Sequence, residues 1–295
     1  MNLAYRSFLY VPGNRQDRMR KALAAGADAV IFDLEDAVPP AEKAVARVLV
    51  REVLDECAER VHASAIFVRV DAVGDGNGWQ EDISACVVPH LSGIRLPKVE
   101  TAHDVALVAE YLTHVGSPPI GLTCSIETAL GVVNANEIAA GPGVELLSFG
   151  ALDFLRDIDG HGDGEESNTL VAKSLIVLAS RAANLPAPVG PVFSDLQDLA
   201  GLRASSLELR KLGFSGRSCI HPKQVAIVNE AFSPTNDEVR AAGELLNLAE
   251  RAERSGIGAT ATAGGRFIDR PQVERARRIL AEASKRNASE PQGVV

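Results

Sequence analysis

Apolar positions along this chain gather into short runs rich in β-branched and aromatic residues, separated by stretches with helical spacing. The runs are FLYVP (8–12), AVIFDLED (29–36), IFVRVD (66–71), GIRLPKV (93–99), IGLTCSIET (120–128), LLSFGALDF (146–154), PVGPVF (188–193) and GRSCIHP (216–222), eight in all. Their recurrence every 25 to 40 residues, roughly, is the spacing of strand–helix units. Between them, residues 14–25 open on Asn14, a good N-cap, and stop before Gly26. Residues 41–59 set Ala44, Val48, Val50 and Leu54 near one helical stripe, and residues 169–184 are apolar enough to pack on a sheet. Eight strands alternating with helices predict an α/β fold, a (β/α)8 TIM barrel, which typically takes ~250 residues. A doubly wound sheet would carry a Gly-rich turn after its first strand, and YVPGNRQ is not GxGxxG.

The pattern changes after Phe232. SPTNDEVRAAGELLNLAERAERS reads as a polar amphipathic helix capped by Ser233 or Thr235, with Glu238 near its start. GIGATATAGG (256–265) reads as a small-residue hinge without a strand signal, and Pro271 sits near the start of a second helix. Residues 1–232 are therefore expected to form the barrel. Residues 233–295 are expected to form a C-terminal helical arm and lid, ending in a loose tail, NASEPQGVV.

Composition narrows the function. Of 295 residues, 46% are apolar and 23% charged, ordinary for a globular enzyme. The net charge of −9 disfavours nucleic acid, which is bound mainly by surplus Lys and Arg. No apolar run approaches the ~18 residues of a membrane span, and Arg6 and Pro12 spoil the N-terminus as a signal peptide. Cys57, Cys86, Cys124 and Cys219 are scattered without a CxxC pair. That fits buried thiols in a reducing cytoplasm rather than zinc or disulfides.

In a barrel, functional groups collect where strands end. Asp33, Glu35 and Asp36 crowd the end of an otherwise apolar run, where water, cations and substrate at the mouth offset charges that burial alone penalises. Glu127 and Asp153 each end an apolar strand with almost no other charge nearby. Two carboxylates with room for water and substrate oxygens suit Mg²⁺, although helix capping or structural ion pairs use the same residues. Arg69 within FVRV points to an anionic substrate or to pairing with Glu35 or Asp36. Lys98 in LPKVE is either a Schiff-base lysine or an ion-pairing one. Arg15, Arg18, Arg20 and Lys21 lie on the first helix, a phosphate-attracting or merely solvated face.

RSFLYVPGNR, AVIFDLEDAV, EKAVAR, VRV, LPKVE, SIETALGV, SFGALDF, GFSGRSCIHPKQVAIVNEAFSPT and GRFIDRP together resemble the citrate lyase beta subunit and malyl-CoA lyase group of barrel lyases. They appear in that family's order from Arg6 to about Pro271. The resemblance implies an Mg²⁺-dependent carbon–carbon lyase acting on a 3-hydroxy-acyl thioester of coenzyme A or an acyl carrier, releasing a keto acid; a hydrolase of the same thioester is the alternative. It makes Glu127 and Asp153 the metal ligands, and Arg69 the contact to the substrate oxygen. Tyr10, Arg15, Lys21, Leu152, Ile220 and His221 fall where family members touch coenzyme A or substrate. Asp269 matches the lid carboxylate used as acid and base, with Glu35 and Asp36 supporting the catalytic set. It also implies a homo-trimer or hexamer. Two departures stand out. Asp71 replaces an Asn common in relatives, and RDIDGHGDGEESN (156–168) is unusually acidic and Gly-rich, which leaves the acyl acid open.

Overall fold

β-branched and aromatic side chains covered on both faces make each run an extended strand. The strands are β1 (Ser7–Pro12), β2 (Ala29–Asp33), β3 (Ala65–Arg69), β4 (Gly93–Leu96), β5 (Gly121–Ile126), β6 (Val144–Phe149), β7 (Val189–Gly190) and β8 (Gly216–Cys219). All pair in parallel in chain order, and β8 closes onto β1. The result is the expected (β/α)8 barrel. The computed structural model describes residues 5–58, 64–74, 76–164, 167–254, 260–261 and 267–289. Among these, no helix is long and apolar enough to cross a membrane. The chain divides into two units, Met1–Phe232 and Ser233–Val295.

Alternation along the strands sorts two cores. Leu9, Val11, Val30, Phe32, Val68 and Leu147 face outward to the helices. Phe8, Ala29, Ile31, Phe67, Leu146 and Val189 fill the barrel, with Tyr5, Tyr10 and Ala65 against them. Gly93 makes room for this filling, since a Cβ there would stand 2.5 Å from the Phe67 ring. One register row, Pro12, Asp33, Arg69, Arg95 and Thr123, runs round half the barrel near its C-terminal rim. That row carries the charge into the interior.

The helices depart from expectation in three places. The first runs Gln16–Ala22 with Arg15 at its N-cap, because the Asn14 amide instead donates to Glu42 at 2.5 Å. In Lys43–Ala58 the buried stripe is Ala46, Val50, Val53, Leu54 and Cys57, while Ala44 and Val48 are exposed. The stripe expected from the sequence mixed two faces of that helix. Leu170–Ala182 buries Ala172, Lys173, Ile176 and Ala179, yet leaves Val171 69% and Leu178 65% exposed.

In the second unit, Thr235 caps Asn236–Arg254: its Oγ1 accepts from the Glu238 N–H at 3.1 Å, and the Glu238 carboxylate accepts from the Thr235 N–H at 2.8 Å. The small-residue stretch does contain a strand. Thr260–Ala261 pairs antiparallel with Phe267–Ile268, a backbone ladder that two residues of pattern cannot announce. Most of 256–265, and the tail beyond Ser289, lie outside the described residues. Arg270–Ser289 follows, with Pro271 in its first turn.

Candidate active site

Asp33 and Arg69 end adjacent strands in register. Arg69 donates from Nε and Nη2 to the two Asp33 oxygens at 2.7 and 2.6 Å, the bidentate fork that suits a desolvated pair. Its Nη1 stands 2.6 Å from Glu35 Oε2, an ion pair off hydrogen-bond alignment, because that oxygen accepts no hydrogen bond. Glu35 Oε1 receives Lys98 Nζ, and the exposed Asp36 lies 3.3 Å from the same ammonium. The crowded carboxylates at the end of β2 are thus organised by one guanidinium and one ammonium. Burial pushes the Glu35 carboxyl up to about 7, with Arg69 and then Lys98 pulling against it.

Lys98 holds a left-handed backbone, φ 49°, which a non-glycine residue adopts at a cost of about 1 kcal/mol or more. Burial lowers its pKa, but the hydrogen bond and charge of Glu35, then Asp36, raise it on balance. Lys98 therefore stands in an ion pair, its ammonium on Glu35 and 3.3 Å from Asp36. Schiff-base chemistry needs the free amine.

Glu127 directly follows β5, is 5% exposed, and its buried Oε2 has no hydrogen-bond partner. Burial raises its pKa, Arg69 opposes that, and nearby Asp153 raises it further. The capping reading does not hold for either acid. Thr128 caps the helix after Glu127, and Gly150 occupies the N-cap before Asp153. Asp153 pairs with Arg156 at 2.9 Å, but that arginine is largely in solvent, so the pair is weak. An orphaned buried carboxylate oxygen with a second carboxylate beside it fits a hard divalent cation that keeps most of its ligands as water or substrate. Among the described residues, no group of three or more His, Cys, Asp or Glu could hold a metal, so any ion here relies on those exogenous oxygens.

Two cations escaped the sequence reading. Arg95, from β4, is 2% exposed inside the barrel, its Nε donating to Ser125 Oγ at 3.0 Å, and Ser125 meets Ser148 at 2.9 Å. Lys43 holds the loop after β2 by donating to the carbonyls of Leu34 and Glu35, the latter at 2.9 Å. The same ammonium bonds Asp71, so the extra negative charge of that departure is neutralised locally. Arg95 carried the same signal as Arg69, a cation within an apolar strand run.

The remaining expected residues are dispersed. Tyr10 lies half-buried inside the barrel, with the Arg69 and Arg95 guanidiniums 5.1 and 5.4 Å from its ring centroid. Arg15 and Lys21 are exposed on the first helix, and Leu152 and Ile220 are exposed after β6 and β8. His221 caps Pro222–Ala231, its Nδ1 accepting from the Lys223 N–H at 3.1 Å. Asp269 belongs to the second unit, where its Oδ1 accepts from the Gln272 N–H at 3.0 Å. In the acidic loop, buried Lys173 donates to the Gly164 carbonyl at 2.8 Å; Glu165 and Glu166 lie outside the described residues.

Comparison with known proteins places this sequence and fold in a lineage. The chain is 36% identical to citrate lyase subunit beta of Leuconostoc mesenteroides subsp. cremoris, across 98% of this chain and 96% of that one. It is also 36% identical to a (3S)-malyl-CoA thioesterase of Cereibacter sphaeroides, across 95% and 94%. Among solved structures it superposes on CitE from Mycobacterium tuberculosis in complex with magnesium, acetoacetate and coenzyme A. That match has TM-score 0.80 and 29% identity, covering 96% of this chain and all of the other. The family model described as HpcH/HpaI aldolase/citrate lyase matches residues 6–222. The chain belongs to the HpcH/HpaI aldolase/citrate lyase family.

Proposed function

We propose that this protein is an Mg²⁺-dependent carbon–carbon lyase that cleaves or forms a 3-hydroxy-acyl thioester of the malyl, citramalyl or citryl type. The observation that carries the reading is the buried Glu127 carboxylate, one oxygen unpartnered, beside Asp153 and under the charge of Arg69. Glu127 and Asp153 would hold the ion, whose Lewis acidity lowers the pKa of the substrate hydroxyl. Cleavage removes the proton from the 3-hydroxyl and breaks the C2–C3 bond. The bonding pair moves into the thioester as an enolate, and protonation of C2 completes the acyl thioester. Arg69 is preorganised for the charge that develops, because Asp33 fixes its guanidinium before substrate arrives. Lys98 and Arg69 together hold Glu35, and Lys43 holds the loop that carries it.

Asp269 is assigned the proton transfer, typically worth ~10²–10⁴ in rate, with Asp36 the next carboxylate in line. Arg15, Lys21, Leu152, Ile220 and His221 are assigned to the coenzyme A moiety, and Tyr10 to the inner wall. Assembly as a trimer or hexamer belongs to the same reading, and the exposed Val171 and Leu178 offer it an apolar surface.

Thioester hydrolysis is the second reading, favoured by the malyl-CoA thioesterase relatives. A panel of malyl-, citramalyl- and citryl-CoA, with and without Mg²⁺ and with products identified by mass, separates the two. A keto acid plus a shorter acyl-CoA is expected. Free hydroxy acid with intact carbon skeleton would assign hydrolysis instead, and turnover undiminished by EDTA would remove the metal.

A further inference from the structure

Arg95 is the anomaly of the barrel interior. It is 2% exposed, and among the described residues it has no carboxylate within ion-pairing distance. Its Nη1 is buried without a hydrogen-bond partner, and only Nε is engaged, by Ser125. The guanidinium lies 5.7 Å from the Phe8 ring centroid and 5.4 Å from that of Tyr10. Tyr10 carries Arg69 at 5.1 Å, so one phenol ring is shared by two cations. A buried, unpaired charge opposes folding, and an apolar side chain of similar volume would fill the same space more favourably. Features that break the rules of core packing in this way concentrate at functional sites.

The charges around the mouth show what Arg95 serves. Asp33 is committed to Arg69, and Glu35 to Arg69 and Lys98. A divalent ion on Glu127 and Asp153 consumes both of those carboxylates. Among the described residues Arg95 stands without a carboxylate at ion-pairing distance, fixed in position by β4 and 5.4 Å from the Tyr10 ring that Arg69 also faces. We infer that Arg95 is a specificity-determining residue: its buried charge makes the site select a ligand that brings its own carboxylate, a 2-keto acid, over a neutral keto compound. It acts through space and through Tyr10, not by contact. This rests on the lyase reading only for the identity of the ligand.

The test is calorimetric binding of pyruvate and of methyl pyruvate to the full-length chain at saturating Mg²⁺. The chains compared are the parent, Arg95→Met and Arg95→Lys. The parent is expected to prefer the carboxylate. Arg95→Met is expected to lose roughly tenfold of that preference, the scale of one charge acting over several ångströms, without a lower Tm. Arg95→Lys keeps most of it. A preference unchanged in Arg95→Met, or absent in the parent, overturns the inference; if Arg95→Met does not fold, Arg95→Gln is read in its place. Thioester turnover is measured separately. Its absence from a parent that still discriminates would defeat the lyase reading and leave Arg95's role standing.

Discussion

Gly150 lies at the end of β6, where a single methyl group is expected to disable the site without altering any charge. A Cβ built there would stand 2.6 Å from Glu127 Cγ, 2.8 Å from Cδ and 2.9 Å from Oε1. Ordinary contact begins near 3.4 Å, so the Glu127 side chain must retreat by about 0.8 Å at Cγ and somewhat less at the carboxylate, and a misplacement near 1 Å can cost ~10²-fold. The backbone itself is no obstacle, since φ of −104° is open to alanine. Glu127 has little room to give way, being buried, and an off-rotamer side chain costs only about 0.5–1.5 kcal/mol. Gly150→Ala should therefore fold normally by circular dichroism while its activation by Mg²⁺ weakens by one to two orders of magnitude, roughly. Mn²⁺ binding followed by electron paramagnetic resonance reads the same displacement without turnover. A folded Gly150→Ala with the parent's half-saturating Mg²⁺ and the parent's rate would refute the assignment of Glu127 as a ligand.

Two further perturbations probe the charge cluster. Arg69→Ala strips buried Asp33 of its bidentate partner, and a loss of about 3–5 kcal/mol in urea unfolding is expected; a loss under ~1 kcal/mol would mean that Asp33 finds other compensation. Glu35 is a carboxyl raised to about 7, so the folded chain holds its proton where the unfolded chain has released it. Its contribution to stability is thus present at low pH and lost as pH rises from the ordinary carboxyl range through about 7. The rate is expected to rise over the same interval as the ionised carboxylate secures Lys98 and Arg69. Glu35→Gln should lack both slopes, and a pH–rate profile identical to the parent's would assign the limb to another group.

Much of the fold was legible because the parallel barrel writes itself plainly. Strands covered on both faces become continuous apolar runs, and each of the eight runs overlaps a strand, although β1, β3 and β6 begin one or two residues earlier. The errors have local causes. Asn14 was a reasonable cap by type, but its amide is captured by Glu42, twenty-eight residues on, which a local rule cannot see. The outer helix Lys43–Ala58 carries Val45 and Val48 on its exposed face, so valine alone misphases the stripe. The pairing of Thr260–Ala261 with Phe267–Ile268 rests on backbone bonds that leave little trace in side-chain type.

The site was legible for a different reason. A charge inside an apolar run is expensive, so each one demands an explanation, and Asp33, Arg69 and Glu127 were found that way. What the sequence could not assign was partnership. Glu35 and Asp36 are adjacent, yet one lies buried between Arg69 and Lys98 while the other reaches solvent, because the turn after β2 accepts the Glu35 N–H on Asp33 and carries Asp36 outward. Lys98 likewise owes its role to Glu35, not to its neighbours in LPKVE. It holds a left-handed φ, and its ammonium reaches back to Glu35 after β2. Arg95 lies in the same register row as Asp33 and Arg69, but the row exists only once β2, β3 and β4 pair, and only then does one arginine prove paired and the other left with a buried Nη1 that has no hydrogen-bond partner.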